Sequence, residues 1–175
     1  MGFFGTYLFE NGGWRSDTPP GYNVLWEPVR GDEPPSATEP WLLVDIHDSD
    51  ITIVTYRPVG PGTGTAYLGF TPRSYFERDD ASAPTDVDRE AAGLAAWWRL
   101  VHSAAADEAS GKESELAAFL AHDLAESELP YPDDDDDDDL EQDDDTLDDA
   151  EVFVEVKTGR FIASLGLPVP DDLRR

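Results

Sequence analysis

Trp41-Leu-Leu-Val-Asp-Ile-His47, then Asp48-Ser49-Asp50, then Ile51-Thr-Ile-Val-Thr-Tyr56 reads as two strands joined by a tight turn. Side chains of an extended chain alternate between faces. Leu42, Val44 and Ile46 therefore share one face, and Leu43, Asp45 and His47 share the other. The β-branched and aromatic residues suit a pleated surface, while Asp and Ser supply turn chemistry. An antiparallel hairpin at this position makes the N-terminal half a sheet and leaves the rest of the chain to cover it.

Toward the N-terminus, Phe3 to Phe9 is aromatic and β-prone, and Asn11-Gly12-Gly13 supplies a turn before Trp14. Tyr22 to Glu27 forms a further short strand between Pro19-Pro20-Gly21 and the Pro-rich loop Pro28 to Pro40. Toward the C-terminus, Gly60-Pro-Gly-Thr-Gly64 leads into a strand over Thr65 to Phe70. Thr71 and Pro72 then suit the cap and first residue of a short helical turn. The N-terminal half reads as an antiparallel meander.

The period then changes. Thr85 with Asp88 resembles a capping box, and Val87, Leu94, Trp98 and Val101 recur at helical spacing, flanked by Trp97 and Leu100. Ser110 with Glu113 opens a second helix, whose Leu116, Phe119, Leu120 and Leu124 form one stripe before Pro130. Val152, Val154 and Val156 alternate as a strand would. Even so, Thr146 with Asp149 makes a third capping box, and Leu165-Gly166-Leu167-Pro168 reads as a helix stop, so a helix is favoured over 150–164. Strands first and helices after imply an α+β fold: an antiparallel β-meander with two or three helices packed on one face. Residues 1–132 and 146–170 form a single domain, with 133–145 an acidic flexible linker inside it.

The chain has 175 residues, 39% of them apolar, enough for one ordinary core. No Cys occurs, which excludes disulfide scaffolds, thiolate metal sites and thiol catalysis. No N-terminal leader pattern and no apolar stretch of about 20 residues is present, so the expectation is a cytoplasmic protein without a membrane partner. Met1-Gly2 with Thr6 fits the loose myristoylation pattern, although Phe3-Phe4 reads naturally as the start of a strand.

Charge is the other strong signal. Net charge is −27, and setting aside 133–149, with its 13 acidic groups, leaves 26 acidic against 12 basic residues, or −14. Such a surface repels nucleic acid directly and attracts basic proteins, with a strength that salt screens. The run Asp133, Asp134, Asp135, Asp136, Asp137, Asp138 and Asp139 must lie in water or against cations, since no core holds adjacent carboxylates. It is a candidate partner-binding segment. Trp14, Trp26 and Trp97 are candidate aromatic anchors, should they stand exposed beside acidic groups.

Asp45, His47, Asp48 and Asp50 are the best candidate metal or general-base cluster, because two of them share a strand face and two can reach from the turn. His102 and His122 fall on helices in structural or solvent-facing positions. The Gly60 to Gly64 loop lacks the Lys and the strand-to-helix setting of a phosphate cradle, no Gly-x-Ser-x-Gly occurs, and no cofactor is implied.

Met1-Gly-Phe-Phe-Gly-Thr-Tyr-Leu-Phe9 and Asp45-Ile-His-Asp-Ser-Asp-Ile51 resemble small acidic proteins of GC-rich actinobacteria, a bacterial group of chains with no known activity to transfer. The expectation is a non-enzymatic acidic protein that docks or neutralises a basic protein partner, of the immunity or regulatory type. The alternatives are a nucleic-acid mimic that binds a DNA-binding protein, a metal-dependent hydrolase centred on Asp45 and His47, and acidity that serves solubility alone.

Overall fold

The computed structural model describes residues 2–15, 37–59, 62–127 and 153–174. The strand expected over Tyr22 to Glu27, with Trp26, lies outside them, as do the acidic linker with Asp133 to Asp139 and the capping pair Thr146 and Asp149.

Five strands form one antiparallel sheet: β1 (Gly5–Glu10), β2 (Gly13–Trp14), β3 (Trp41–His47), β4 (Ile51–Val59) and β5 (Gly62–Gly69). Asn11 (φ 52°) and Gly12 (φ 80°) make the left-handed pair that a two-residue hairpin turn requires. The spatial order is β2-β1-β3-β4-β5, so the chain leaves β2 and returns on the far side of β1. From β3 onward the strands follow one another as a meander. The register sets Thr6, Asp45, Ile53 and Tyr67 in one row and Tyr7, Val44, Val54 and Ala66 in the next.

The helices are α1 (Pro72–Tyr75), α2 (Val87–His102), α3 (Ala106–Ser127) and α4 (Val154–Ser164), followed by a 3-10 turn at Asp171–Leu173. The α+β reading holds, with the long helices on one sheet face. Phe9, Leu42, Val44, Ile46, Val54, Tyr56, Ala66 and Leu68 meet Leu94 and Trp97 of α2, Leu116 and Leu120 of α3, and Phe161 and Ile162 of α4 in one core. The opposite face, which carries Leu43, Asp45 and His47, is largely apolar and buried. Leu8, Trp41 and Leu43 form one small cluster there, and Ile51 and Ile53, backed by Tyr67, Phe70 and Tyr75, form another. A strand such as Ile51-Thr-Ile-Val, apolar at odd and even positions alike, is the pattern of a sheet covered on both sides.

Helix ends follow their capping chemistry. Thr71 and Ser74 form a complete capping box on α1, as the Thr71-Pro72 pair implied. On α2 the cap is Asp86, whose carboxylate accepts the Arg89 N–H at 3.0 Å, and not Thr85, whose hydroxyl is buried without a partner. Helix α3 starts before the expected Ser110. Glu108 reaches back to the Ala105 N–H at 2.8 Å, while the Ser110 hydroxyl bonds the Ala106 carbonyl at 3.4 Å.

The favoured helix near the C-terminus is present as α4. It begins after Phe153 without a side-chain cap and ends in left-handed Gly166 (φ 69°). Gly166 N–H bonds Ala163 O at 2.9 Å and Leu167 N–H bonds Ile162 O at 3.3 Å, the paired bonds of a Schellman stop. Gly159, costly inside a helix, has a packing reason: a Cβ there would lie 2.6 Å from the Leu173 carbonyl of the 3-10 turn.

Candidate functional site

The turn between β3 and β4 holds one end of the sheet together. Asp48 (φ 55°) and Ser49 (φ 63°) are both left-handed, a conformation that costs an L-residue roughly 1–2 kcal/mol. Ser49 offsets this with three bonds. Its Oγ accepts the Phe3 N–H at 2.8 Å, its own N–H donates to Phe3 O at 3.2 Å, and its carbonyl accepts the Val154 N–H at 3.1 Å. The start of β1, the turn and the start of α4 are thereby tied to one residue.

Aromatic rings line up beside this turn. Phe4 stands edge-on to His47 with centroids 4.9 Å apart, His47 to Tyr75 at 6.4 Å, and Tyr75 to Phe76 at 5.0 Å, with interplanar angles of 86°, 89° and 88°. Phe70 joins Tyr75 at 6.4 Å, and buried Ile51 lies beneath the group. Phe4 is 53% exposed, Phe76 39%, and Phe153, one residue before the Ser49-bonded Val154, 41%. Leu100 on α2 is the fourth exposed large apolar side chain among the described residues. Three of the four thus lie around one end of the sheet.

Carboxylates share this region. Asp45 accepts a hydrogen bond from Thr6 Oγ1 at 2.7 Å, and burial pushes its carboxyl up to about 6 against that bond's opposing pull. Burial also raises Asp50, helped by the charges of Asp48 and Glu155. Burial lowers His47 below its usual 6.5 despite the neighbouring Asp48, so the imidazole is uncharged at neutral pH. The ladder is therefore a set of neutral rings among acids.

The elevated Asp45 has a testable consequence. Its folded-state value lies above the ordinary 3.8, so between those values the folded chain binds more protons than the unfolded one. This residue's contribution makes stability fall as pH rises from about 4 through about 6. Asp45→Asn keeps an acceptor for Thr6 and removes the charge. Urea unfolding should show the variant gaining on the parent as pH climbs through that window, with little difference below it. A variant that loses ground as pH rises would show the carboxylate to be stabilised instead.

The expected metal set does not assemble. Among the described residues no group of three or more His, Asp or Glu side chains could hold a metal ion. Asp45 turns to Thr6, and the His47 ring is flanked by Phe4 and Tyr75. The tryptophan anchors also resolve differently. Trp97 is fully buried in the core, and Trp14 is half-buried against Tyr7 and Phe9 with its Nε1–H donated to Pro168 O at 2.5 Å. Trp26 and Asp133 to Asp139 lie outside the described residues.

The exposed rings missed in the sequence are Phe4 and Phe76, with half-buried Tyr75 between Phe76 and His47. Extending the pairing Gly5 with Ile46 by one residue places Phe4 opposite His47, a signal available once β1 is laid against β3. Histidines behave as read: His102 Nε2 lies 2.8 Å from Leu165 O at the end of α4, and His122 is exposed on α3. The Gly60 to Gly64 loop yields a packing role, since a Cβ on Gly64 would lie 2.1 Å from the Tyr56 ring. Gly2 is likewise packed, its Cβ position 2.0 Å from the Asp48 carboxylate.

An open hollow of about 550 Å³ lies between α4 and the C-terminal 3-10 turn, lined by Val156, Gly159, Arg160, Ala163, Val169, Leu173 and Arg174. Its lining is mainly apolar, and Arg174 is engaged by Val169 O and Asp171. Among the described residues no helix is long and apolar enough to cross a membrane. Comparison with protein-family models, curated proteins and solved structures gave no match.

Proposed function

We propose that the protein is a non-enzymatic acidic binding protein, acting in the cytoplasm, that docks a basic protein partner through the Phe4–His47–Tyr75–Phe76 surface, in the manner of immunity or regulatory proteins. The observation that carries this reading is the coincidence of exposed aromatic rings with carboxylates at one end of the sheet. Contiguous exposed apolar groups mark interaction sites, and aromatics supply most binding hot spots. The acidic surroundings and the −27 chain charge steer cationic partners toward it and penalise anionic ones.

Affinity capture with the full chain at roughly 0.05 M salt should retain basic proteins and release them toward 1 M, where the screening length is about 3 Å. The double variant Phe4→Ser, Phe76→Ser alters two exposed side chains and should retain the fold. It should weaken capture of the same proteins about tenfold or more, since each hot spot contributes over 1 kcal/mol. Retention that ignores both salt and the double variant would overturn the proposal.

A further inference from the structure

We infer that the cation seated on this surface is an arginine side chain of the partner, in preference to lysine. The inference rests on the docking reading above and specifies its chemistry. Phe4, His47, Tyr75 and Phe76 meet nearly at right angles, so neighbouring rings do not form one flat wall, and Phe4 and Phe76 stand exposed. A flat cation can lie against an exposed ring face; a compact, strongly hydrated ammonium gains less from the same surface.

The acids beside the rings complete the match. Asp48 and Asp50 lie in the turn that follows His47, where the Asp50 N–H bonds the His47 carbonyl at 3.1 Å. A guanidinium stacked on Phe4 or Tyr75 presents its fork of N–H donors edgewise, the geometry that carboxylates accept two bonds at a time. His47, held neutral, adds a ring without adding a competing positive charge. Aromatic contact and charge complementarity thus favour one occupant, an arginine-bearing segment of a basic protein.

The test uses the full chain and three Gly-Ser peptides of equal length carrying three arginines, three lysines or three citrullines, followed by NMR of the aromatic ring protons. Reading the rings, and not total affinity, separates this surface from cation binding elsewhere on an acidic chain. The arginine peptide should shift the ring resonances of Phe4, Tyr75 and Phe76 and bind there about two- to fivefold more tightly than the lysine peptide, the range of an exposed cation–π contact. Citrulline, planar but uncharged, should fail.

Phe4→Leu with Phe76→Leu keeps apolar bulk at two exposed positions and removes the ring faces, so it should abolish the arginine preference while lysine binding stays nearly level. Equal shifts and affinities for arginine and lysine would overturn the arginine inference and leave the docking reading standing. Ring resonances that ignore both peptides, while other parts of the chain respond, would overturn both.

Discussion

Trp97→Ala is expected to lower the free energy of unfolding by roughly 3–5 kcal/mol, the range for removing a large buried aromatic, and the melting temperature by roughly 6–20 °C. Trp97 is completely buried at the centre of α2, edge-on to Phe9 of β1 at 6.1 Å, in the cluster that joins α2, α3 and α4 to the sheet. Its removal leaves a cavity that three helices would have to collapse together to fill. Against a total stability of about 5–15 kcal/mol, this brings the domain near its threshold.

Two companions sharpen the measurement. Leu100→Ala, three residues along the same helix at a mostly exposed position, should cost under about 0.5 kcal/mol. Trp97→Phe should cost much less than the alanine variant, because the buried indole N–H has no hydrogen-bond partner to lose. Equal effects of the Trp97 and Leu100 alanine variants in chemical denaturation would show that α2 does not present this face to the sheet.

The same helix shows where the sequence was legible and where it was not. Its existence followed from apolar recurrence, yet the stripe read through Trp98 and Val101 is displaced. The buried positions are Glu90, Ala91, Gly93, Leu94, Ala95 and Trp97, with Trp98 half-buried and Lys112 Nζ 5.4 Å over its ring. Adjacent helical residues differ by about 100° in direction, and two neighbouring tryptophans give a periodicity argument no means of choosing between them. What chooses is distant. Tyr56 of β4 occupies the space left by Gly64 and Gly93, each too close for a Cβ, and donates its hydroxyl to the Glu90 carboxylate at 2.8 Å. Arg89 pairs with the same carboxylate at 2.6 Å, so a Glu becomes part of the core.

The hairpin from Trp41 to Tyr56 was legible because its pairing is local: a period of two, a short turn and a register that the turn fixes. The α3 stripe and the Gly166 stop are legible for the same reason. The proposed binding surface was half legible. Asp45 and His47 could be placed on one face from alternation alone, but the rings beside His47 come from residues about 30 to 40 positions away, brought in by the β1 register and by α1 folding back. Local patterns carry no record of such encounters, so the rings beside His47 cannot be read from the hairpin alone.

Asp123→Ala carries the second large effect, an expected loss of roughly 3–5 kcal/mol, the range for breaking one side of a buried ion pair. Asp123 of α3 is 4% exposed and lies 2.7 Å from the Lys157 ammonium of α4, itself 14% exposed. Its two carboxylate oxygens also accept the Gly69 N–H, each at 3.1 Å, at the end of β5. Removing it takes a largely buried carboxylate partner from both the Lys157 ammonium and the Gly69 N–H. The paired replacement Asp123→Leu with Lys157→Met should recover the part of the loss owed to the charges, because an apolar pair of similar volume avoids their desolvation, and leave the part owed to the Gly69 N–H. No recovery at all would assign the whole cost to the Gly69 bond. The effect also reaches the proposed binding surface, since Gly69 precedes Phe70, whose N–H bonds Asp50 O at 2.9 Å and whose ring packs on Tyr75. In Asp123→Ala the ring resonances of Phe70 and Tyr75 should therefore move before global unfolding begins. Unchanged resonances under native conditions would show that this end of the sheet holds its shape without the ion pair.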